Sequence, residues 1–79
     1  MGKQAYINLK LFATLGKFTP DSADNYPVEH GTTVRDLVTR LGIPEEKAKL
    51  IFINGIKGEL DSALKGGERV GIFPPVGGV

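Results

Sequence analysis

The sequence predicts an α+β domain in which one main helix packs across one face of a mixed sheet of about four strands, in the order β-β-α-β-β. Three observations predict it. The opening segment alternates apolar and polar residues, the middle carries one apolar stripe at helical spacing, and the second half holds two short apolar segments bounded by turn signals. Because the stripe and the strands bury their apolar sides against each other, a single helix-on-sheet layer is the simplest arrangement.

Composition limits the chain to one small domain. It has 79 residues, 41% of them hydrophobic, and ten basic side chains against nine acidic ones. It has no cysteine, which excludes disulfides and thiolate chemistry and is compatible with a reducing cytosol. The longest apolar run, Leu50–Ile53, is too short to span a bilayer, and no signal segment opens the chain. We expect a soluble, cytoplasmic protein that does not bind membranes and is monomeric when alone.

The first two strands are predicted to form a hairpin with a long loop. Residues 5–13 alternate, which is typical of a half-buried strand. Its apolar positions are Ala5, Ile7, Leu9 and Leu11. A polar connection over residues 16–25 leads to a short strand over residues 26–29. Pro27 cannot donate a ladder hydrogen bond, so this second strand is expected near the sheet edge.

The main helix has signals at both ends. Its apolar stripe consists of Val34, Leu37, Val38 and Leu41. Thr33 is the expected N-cap, with Asp36 three residues later completing a capping box, and Gly42 stands where a C-terminal glycine belongs. Pro44 is expected to open a second, short and solvent-facing helical turn.

Two strands follow the helix. Leu50–Ile53 lacks alternation and is rich in β-branched and aromatic residues, so it is predicted to be a central strand covered on both faces. Asn54-Gly55 is a turn signal after it. Gly66-Gly67 marks another turn, and Arg69–Phe73 is predicted to be the last strand. This order is the β-grasp arrangement.

A distinct tail is expected after the last strand. Two prolines follow Phe73, and they fix the backbone and cannot join a sheet ladder. A pair of glycines lies near the end of the sequence, and a backbone without side chains can enter a narrow channel in a partner. We therefore divide the chain into a β-grasp domain over residues 1–73 and an extended C-terminal tail over residues 74–79.

Four segments that cover nearly the whole chain resemble a known family. They are INLKLFATLGKF, TTVRDLVTRLG, IFINGIKG and LKGGERVGIFPPVGG. Together they resemble the MoaD/ThiS family of ubiquitin-like sulfur carriers. The most specific motif is Phe73-Pro74-Pro75-Val76 before glycine, which is more similar to the small subunit of molybdopterin synthase than to the thiazole-pathway carrier of thiamine synthesis.

The resemblance implies a function in which the chain is a protein cosubstrate and not an enzyme. In this family an activating enzyme uses ATP and magnesium to adenylate the C-terminal glycine, which becomes a thiocarboxylate. The sulfur is then delivered inside the large subunit of molybdopterin synthase. Carried over to this chain, the thiocarboxylate site is Gly78, and the chain binds no cofactor of its own. The tail residues that would contact the partners are Phe73, Pro74, Pro75, Val76 and Gly77.

The last residue departs from the family pattern, which ends Gly-Gly. Here Val79 follows Gly78. A protease could remove Val79, the activating enzyme could accept it, or the domain could be a ubiquitin-like binding subunit whose tail inserts into a partner without activation. We adopt removal of Val79, with Gly78 as the activated residue.

A partner surface is expected beside the tail. Phe12 and Phe73 are candidates for an exposed apolar patch, although either could equally pack under the helix or the long loop. Lys65 and Arg69 could face an acidic patch on a partner.

Two other classes of site are not expected. His30 is the only histidine, and one histidine cannot form a metal site alone, so no metal site is predicted. Basic residues are scattered from Lys3 to Arg69, the net charge is only +1, and no platform of aromatic and basic residues is evident in the sequence. No nucleic-acid partner is predicted.

Overall fold

The computed structural model describes residues 5–75. Within this range the chain forms one helix and a five-stranded sheet. The elements are β1 (Ala5–Leu11), β2 (Tyr26–Val28), α1 (Val34–Leu41), β3 (Leu50–Ile53), β4 (Ile56–Gly58) and β5 (Arg69–Phe73). The predicted α+β class and β-grasp arrangement are confirmed. The strand beyond the expected four is β4, which is only three residues long.

The sheet is mixed, with the order β2-β1-β5-β3-β4. The last strand lies in the middle, where β5 pairs in parallel with β1 and antiparallel with β3. The strand that carries Pro27 is an edge strand, as predicted, because β2 pairs only with β1 within the described sheet. A C-terminal segment that continues from β5 therefore starts from the centre of the sheet.

The ends of α1 are fixed by the predicted caps. The Thr33 side chain accepts a hydrogen bond from the backbone N–H of Asp36 (3.1 Å), and the Asp36 carboxylate accepts one from the backbone N–H of Thr33 (3.3 Å). Gly42 ends the helix in the left-handed conformation, with φ +82°. Between these caps the helix buries Val34, Leu37 and Val38 of its apolar stripe in the core.

The core lies between α1 and one face of the sheet. Its most fully buried side chains are Ile7, Leu9, Leu15, Val28, Val34, Leu37, Val38, Leu64, Val70 and Ile72. Leu15, between β1 and the polar connection, is wholly buried because a 3₁₀ turn over Ala13–Phe18 directs it inward. Leu64 also enters the core from a connection. The connections thus supply core volume that this small sheet lacks.

The prediction that β3 is covered on both faces is wrong. Ile51 is buried against the core, whereas Phe52 lies on the opposite face and is only partly buried. The apolar run arises because Phe52 packs against another aromatic ring there, not because a second layer covers it. The turn after β3 is as predicted, since Asn54 and Gly55 have φ +55° and +81°, which suits a two-residue hairpin.

Candidate docking face beside the tail

The sheet has an open face, defined here as the strand side chains that point away from α1. Strand registers place four residues in one row across this face. They are Lys10 on β1, Gly71 on β5, Phe52 on β3 and Lys57 on β4. Arg69 pairs with Asn8 in the next row toward the start of β5. Phe12 and Phe73 lie on the same face, toward the end of β5.

Three phenylalanines form an aromatic cluster on the open face, consisting of Phe12, Phe52 and Phe73. The Phe12 and Phe73 rings are stacked, with centroids 4.2 Å apart and planes 2° apart. The Phe52 ring meets Phe73 edge-on, at 5.7 Å and 85°. Each such pair contributes about 0.5–1.5 kcal/mol beyond burial. Phe12 nevertheless remains 38% exposed, so the cluster presents aromatic surface to solvent.

A recess of about 310 Å³ opens beside the aromatic cluster. Its lining comprises the three phenylalanines together with Lys10, Gly55, Arg69, Val70 and Gly71. Gly71 helps to keep it open, because a Cβ built there would come within 3.3 Å of Cε2 of Phe12. The recess is therefore mainly apolar, with cationic side chains in its wall.

The charged side chains that line the recess are both cations, whereas Lys57 lines a second recess together with Glu45, Glu46 and Glu59. Lys10 and Arg69 line the recess beside the aromatic cluster, Lys57 stands beside Phe52 in the same row, and no carboxylate is among the described residues that line that recess. The ion pairs found within residues 5–75 both involve Arg35, which lies on α1 and not on the open face. The open face is thus suited to a ligand that combines an apolar or aromatic part with negative charge.

Arg35 joins three parts of the covered side. Its guanidinium donates to the carboxylates of Asp61 and Glu45, the latter at 3.0 Å. The hydrogen bond and charge of Asp61, followed by Glu45, raise the pKa of Arg35 above its ordinary value. This network links the first turn of α1 to two connections, and its position assigns it a structural role.

The tail follows β5, whose backbone is hydrogen-bonded to neighbouring segments on both edges as far as its last two residues. The backbone N–H of Phe12 donates to the carbonyl of Ile72 (3.1 Å), and that of Lys49 donates to the carbonyl of Phe73 (3.0 Å). Pro74 and Pro75 follow without N–H groups, which ends the pairing. The chain therefore leaves the sheet directly beside the aromatic cluster.

Several predicted site residues lie beyond the part of the chain that the structure describes. They are Val76, Gly77, Gly78 and Val79. The assignment of Gly78 as the activated residue, the removal of Val79, and the division between a domain over residues 1–73 and a tail over residues 74–79 therefore stay predictions.

The structure brings three of the four predicted surface residues together. Phe12 and Phe73 lie on the open face and not under the helix, and Arg69 shares that face. Lys65 does not belong to it. This residue is in the turn before β5, where its backbone N–H donates to the Glu68 carboxylate (2.9 Å), at the end of β5 away from the tail.

Sequence reasoning missed the other members of the open face, namely Lys10, Phe52, Lys57 and Gly71. The period of two along β1 places Lys10 on the same side as Phe12, so that signal was available. The others depend on strand register. No platform of aromatic and basic residues is evident in the sequence, because pairing of four strands brings these residues together from separated positions.

Other chemistry is sparse in the described range. His30 is exposed in the loop before α1. Within residues 5–75, no three His, Asp or Glu side chains converge in a way that would hold a metal ion. The longest helix in that range, α1, has eight residues, and none of the described helices is long and apolar enough to cross a bilayer.

Solved structures with the same fold include two from Haloferax volcanii. The HVO 2177 protein is 22% identical, with a TM-score of 0.74, and the match covers 96% of this chain and 88% of that one. Small archaeal modifier protein 1 is 23% identical, with a TM-score of 0.67, over 91% of this chain and 99% of that one. At these identities the likeness shows the fold.

A third similar structure is a Pyrococcus furiosus protein with the provisional name molybdopterin converting factor, subunit 1. It is 28% identical, with a TM-score of 0.62, over 91% of this chain and 99% of that one. No curated protein matched the sequence.

The sequence profile of the Mut7-C ubiquitin family matches residues 4–77, nearly the whole chain. Together with the structural neighbours, this match confirms the resemblance to ubiquitin-like proteins of the MoaD/ThiS type that the four sequence segments predicted. The fold is that of small ubiquitin-like carriers and modifiers. By profile and by fold, the chain belongs to the Mut7-C ubiquitin family.

Proposed function

We propose that this chain is a sulfur carrier whose Gly78 carboxylate, after removal of Val79, is converted to a thiocarboxylate and donates sulfur in molybdopterin synthesis. The observation that carries the proposal is the exit of the tail. The central strand β5 is paired on both sides up to Phe73 and then continues into Pro74-Pro75, beside an apolar recess. A C-terminal segment that leaves a hydrogen-bonded central strand next to a docking face suits a protein that presents its C-terminus to a partner enzyme. The provisional name of the Pyrococcus relative points the same way.

The proposed chemistry needs no catalytic group on this chain. The Gly78 carboxylate attacks the α-phosphate of ATP, pyrophosphate leaves, and an acyl adenylate forms. A persulfide sulfur then attacks the carbonyl and AMP leaves. A thiol cleaves the resulting S–S bond, which leaves a thiocarboxylate and a disulfide. The partner enzyme supplies the magnesium ion and the charge stabilisation for these steps.

The open face would hold the carrier on its partners. An apolar side chain of the activating enzyme, or of the large subunit of molybdopterin synthase, would enter the recess between Phe12 and Phe52, with carboxylates facing Lys10 and Arg69. Aromatic anchors in a partly desolvated pocket contribute most of the affinity in many interfaces, and complementary charge raises the association rate. The face thus positions the tail, and the tail carries the reacting group.

The first test is intact mass spectrometry of the protein recovered from its native cells. The proposal requires a chain that ends at Gly78 or is processed to Gly78. Recombinant full-length and Val79-deleted forms are then incubated with ATP, magnesium, a persulfide donor and the activating enzyme encoded by the same genome. We expect a sulfur-for-oxygen mass change on the Val79-deleted form only, and a Gly78→Ala change in that form serves as the matched control.

A second candidate is the ubiquitin-like binding subunit without activation, which the open face favours because its contacts do not depend on the tail. Intact Val79 in cells, with no sulfur on either recombinant form, would exclude the carrier and leave this candidate. If sulfur is loaded, supplying the loaded protein with either a molybdopterin precursor or a thiazole precursor and the matching synthase identifies the acceptor. We expect transfer to the molybdopterin precursor.

A further inference from the structure

We infer that the open face binds single-stranded nucleic acid, with bases stacking at the aromatic cluster and phosphates contacting Lys10, Lys57 and Arg69. This goes beyond the carrier function and does not depend on it. It also reverses the expectation drawn from the sequence, because the fold assembles the platform of aromatic and basic residues that the sequence alone does not display.

The aromatic cluster supplies surfaces of the right kind for bases. Phe12 lies flat on Phe73 and keeps more than a third of its surface exposed, and Phe52 stands edge-on at the other side of Phe73. The recess of about 310 Å³ opens between these rings, beside Gly71. Open sheets that carry aromatic side chains are used to stack the unpaired bases of single strands, and this stacking tolerates any base.

The cations are placed to follow a phosphate backbone. Lys10 and Lys57 stand at opposite ends of one row, with two strands between them, which corresponds to about 14 Å at the usual strand spacing. Arg69 lies one row away, in the wall of the recess. The cations therefore flank the rings on the same, open face of the sheet. Proteins that bind single strands combine aromatic side chains that stack on the bases with cations that contact the phosphates around them.

The distribution of acidic residues favours this ligand. The described carboxylates closest to cations, Asp61 and Glu45, pair with Arg35 on the covered side. The lining of the recess beside Lys10 and Arg69 contains none, while Glu45, Glu46 and Glu59 line a second recess together with Lys57. A nucleic acid with a continuous negative backbone and planar apolar bases matches the whole face.

The test measures fluorescence anisotropy of a labelled single-stranded RNA of mixed sequence, about 12 nucleotides long, with the full-length protein at about 50 mM salt. We expect saturable binding that weakens steeply as salt rises. Lys10→Glu and Arg69→Glu should each weaken it by about tenfold or more. Lys47→Glu is the matched control, since it makes the same charge change in the 3₁₀ turn Glu45–Lys47, outside the strands of the open face, and should alter affinity by less than about twofold.

Stacking is tested separately from charge. Phe12→Leu keeps an apolar side chain but removes the ring, and it should weaken binding by about tenfold, with folding checked by circular dichroism. Gly71→Ala, which narrows the recess, should also weaken it. A duplex of the same sequence should bind less tightly than the single strand, because its bases are not free to stack.

Three results would overturn the inference. They are the absence of saturable binding at low salt, equal losses in Lys10→Glu and Lys47→Glu, and an unchanged affinity in Phe12→Leu. Any of them would leave the open face as a protein-docking surface only. None of them bears on sulfur loading of the Val79-deleted form, so the inference and the carrier proposal fail independently.

Discussion

The two faces of strand β5 are built from five consecutive residues and have opposite properties. Val70 and Ile72 are wholly buried under α1, whereas Arg69, Gly71 and Phe73 face the open side. The covered face contains only aliphatic side chains at these positions, and the open face contains a cation, a glycine and an aromatic ring. Strand alternation thus gives a single segment one face that forms the core and one open face of different chemistry.

This division matters more in a small domain than in a large one. A chain of this length buries only about 60% of the surface that it exposes when unfolded, so the covered face must supply most of the stability. Three phenylalanines nevertheless remain on the open face. These rings contact one another on the open face and do not pack under α1.

The largest expected effect compares adjacent residues of β5. Ile72→Ala should lower the free energy of unfolding by about 2–5 kcal/mol, because it leaves a cavity in the core. Phe73→Ala should cost less, about 1–2 kcal/mol, since it removes two aromatic contacts from a half-buried site. Urea unfolding followed by circular dichroism measures both. Equal losses would show that Phe73 belongs to the core and would break the contrast between the faces.

A backbone contact on the covered side gives the next effect. Gly66 has φ +118°, and a Cβ there would come within 2.4 Å of Cβ of Ala5 on β1. Gly66→Ala should cost about 1–3 kcal/mol, because the turn must shift away from β1. Gly67→Ala is the control, since Gly67 has φ +87° but nothing within 4 Å of an added Cβ, and it should cost about 1 kcal/mol. A larger loss in Gly67→Ala would contradict the geometry of this turn.

The capping box tests how α1 is attached to the covered face. Thr33→Ala removes the side chain that accepts from Asp36, and it should lower the free energy of unfolding by about 0.5–2 kcal/mol. Thr39→Ala, at an exposed position of the same helix, should be neutral or slightly stabilising because alanine favours helix. Binding at the open face should not change in either variant, and a change would mean that the two faces are coupled.

The smallest expected effect concerns Arg35. Arg35→Gln should lower the urea midpoint slightly at low salt and not at high salt, because both ion pairs are solvent-exposed. A folded-state pKa that is raised gives stability that is present below the unfolded pKa and lost only as pH rises through the folded value. For arginine that loss falls above the accessible range, so the Arg35 charge contributes no pH dependence near neutrality. A salt-independent loss would indicate that packing of the Arg35 stem is the main contribution.

The sequence was sufficient for the elements whose signals are local. The capping box of Thr33 and Asp36, the left-handed Gly42 and the strand Arg69–Phe73 were all predicted and are confirmed. Pro27 placed β2 correctly at an edge. Each of these depends on one residue type with a fixed backbone or hydrogen-bonding requirement, and such requirements are independent of the rest of the fold.

The candidate site was harder to predict because it depends on register. Phe12 and Phe73 were named as candidates for a partner surface, with packing in the core as the equal alternative. Nothing local shows that Phe52 lies beside them or that Lys57 pairs with Phe52 across a hairpin. The apolar run of β3 was interpreted as a doubly covered strand for the same reason. An aromatic residue on an open face and a residue under a second layer have the same local sequence.

The central place of β5 also has a mechanical consequence. Force applied through the segment after Phe73 would act along a strand that is bonded to β1 on one side and β3 on the other. Because β1 runs parallel to β5, pulling the two ends of the domain apart loads their hydrogen bonds in shear, all at once and not one by one. A protein machine that pulls on the tail would therefore have to break the hydrogen bonds of the central strand first.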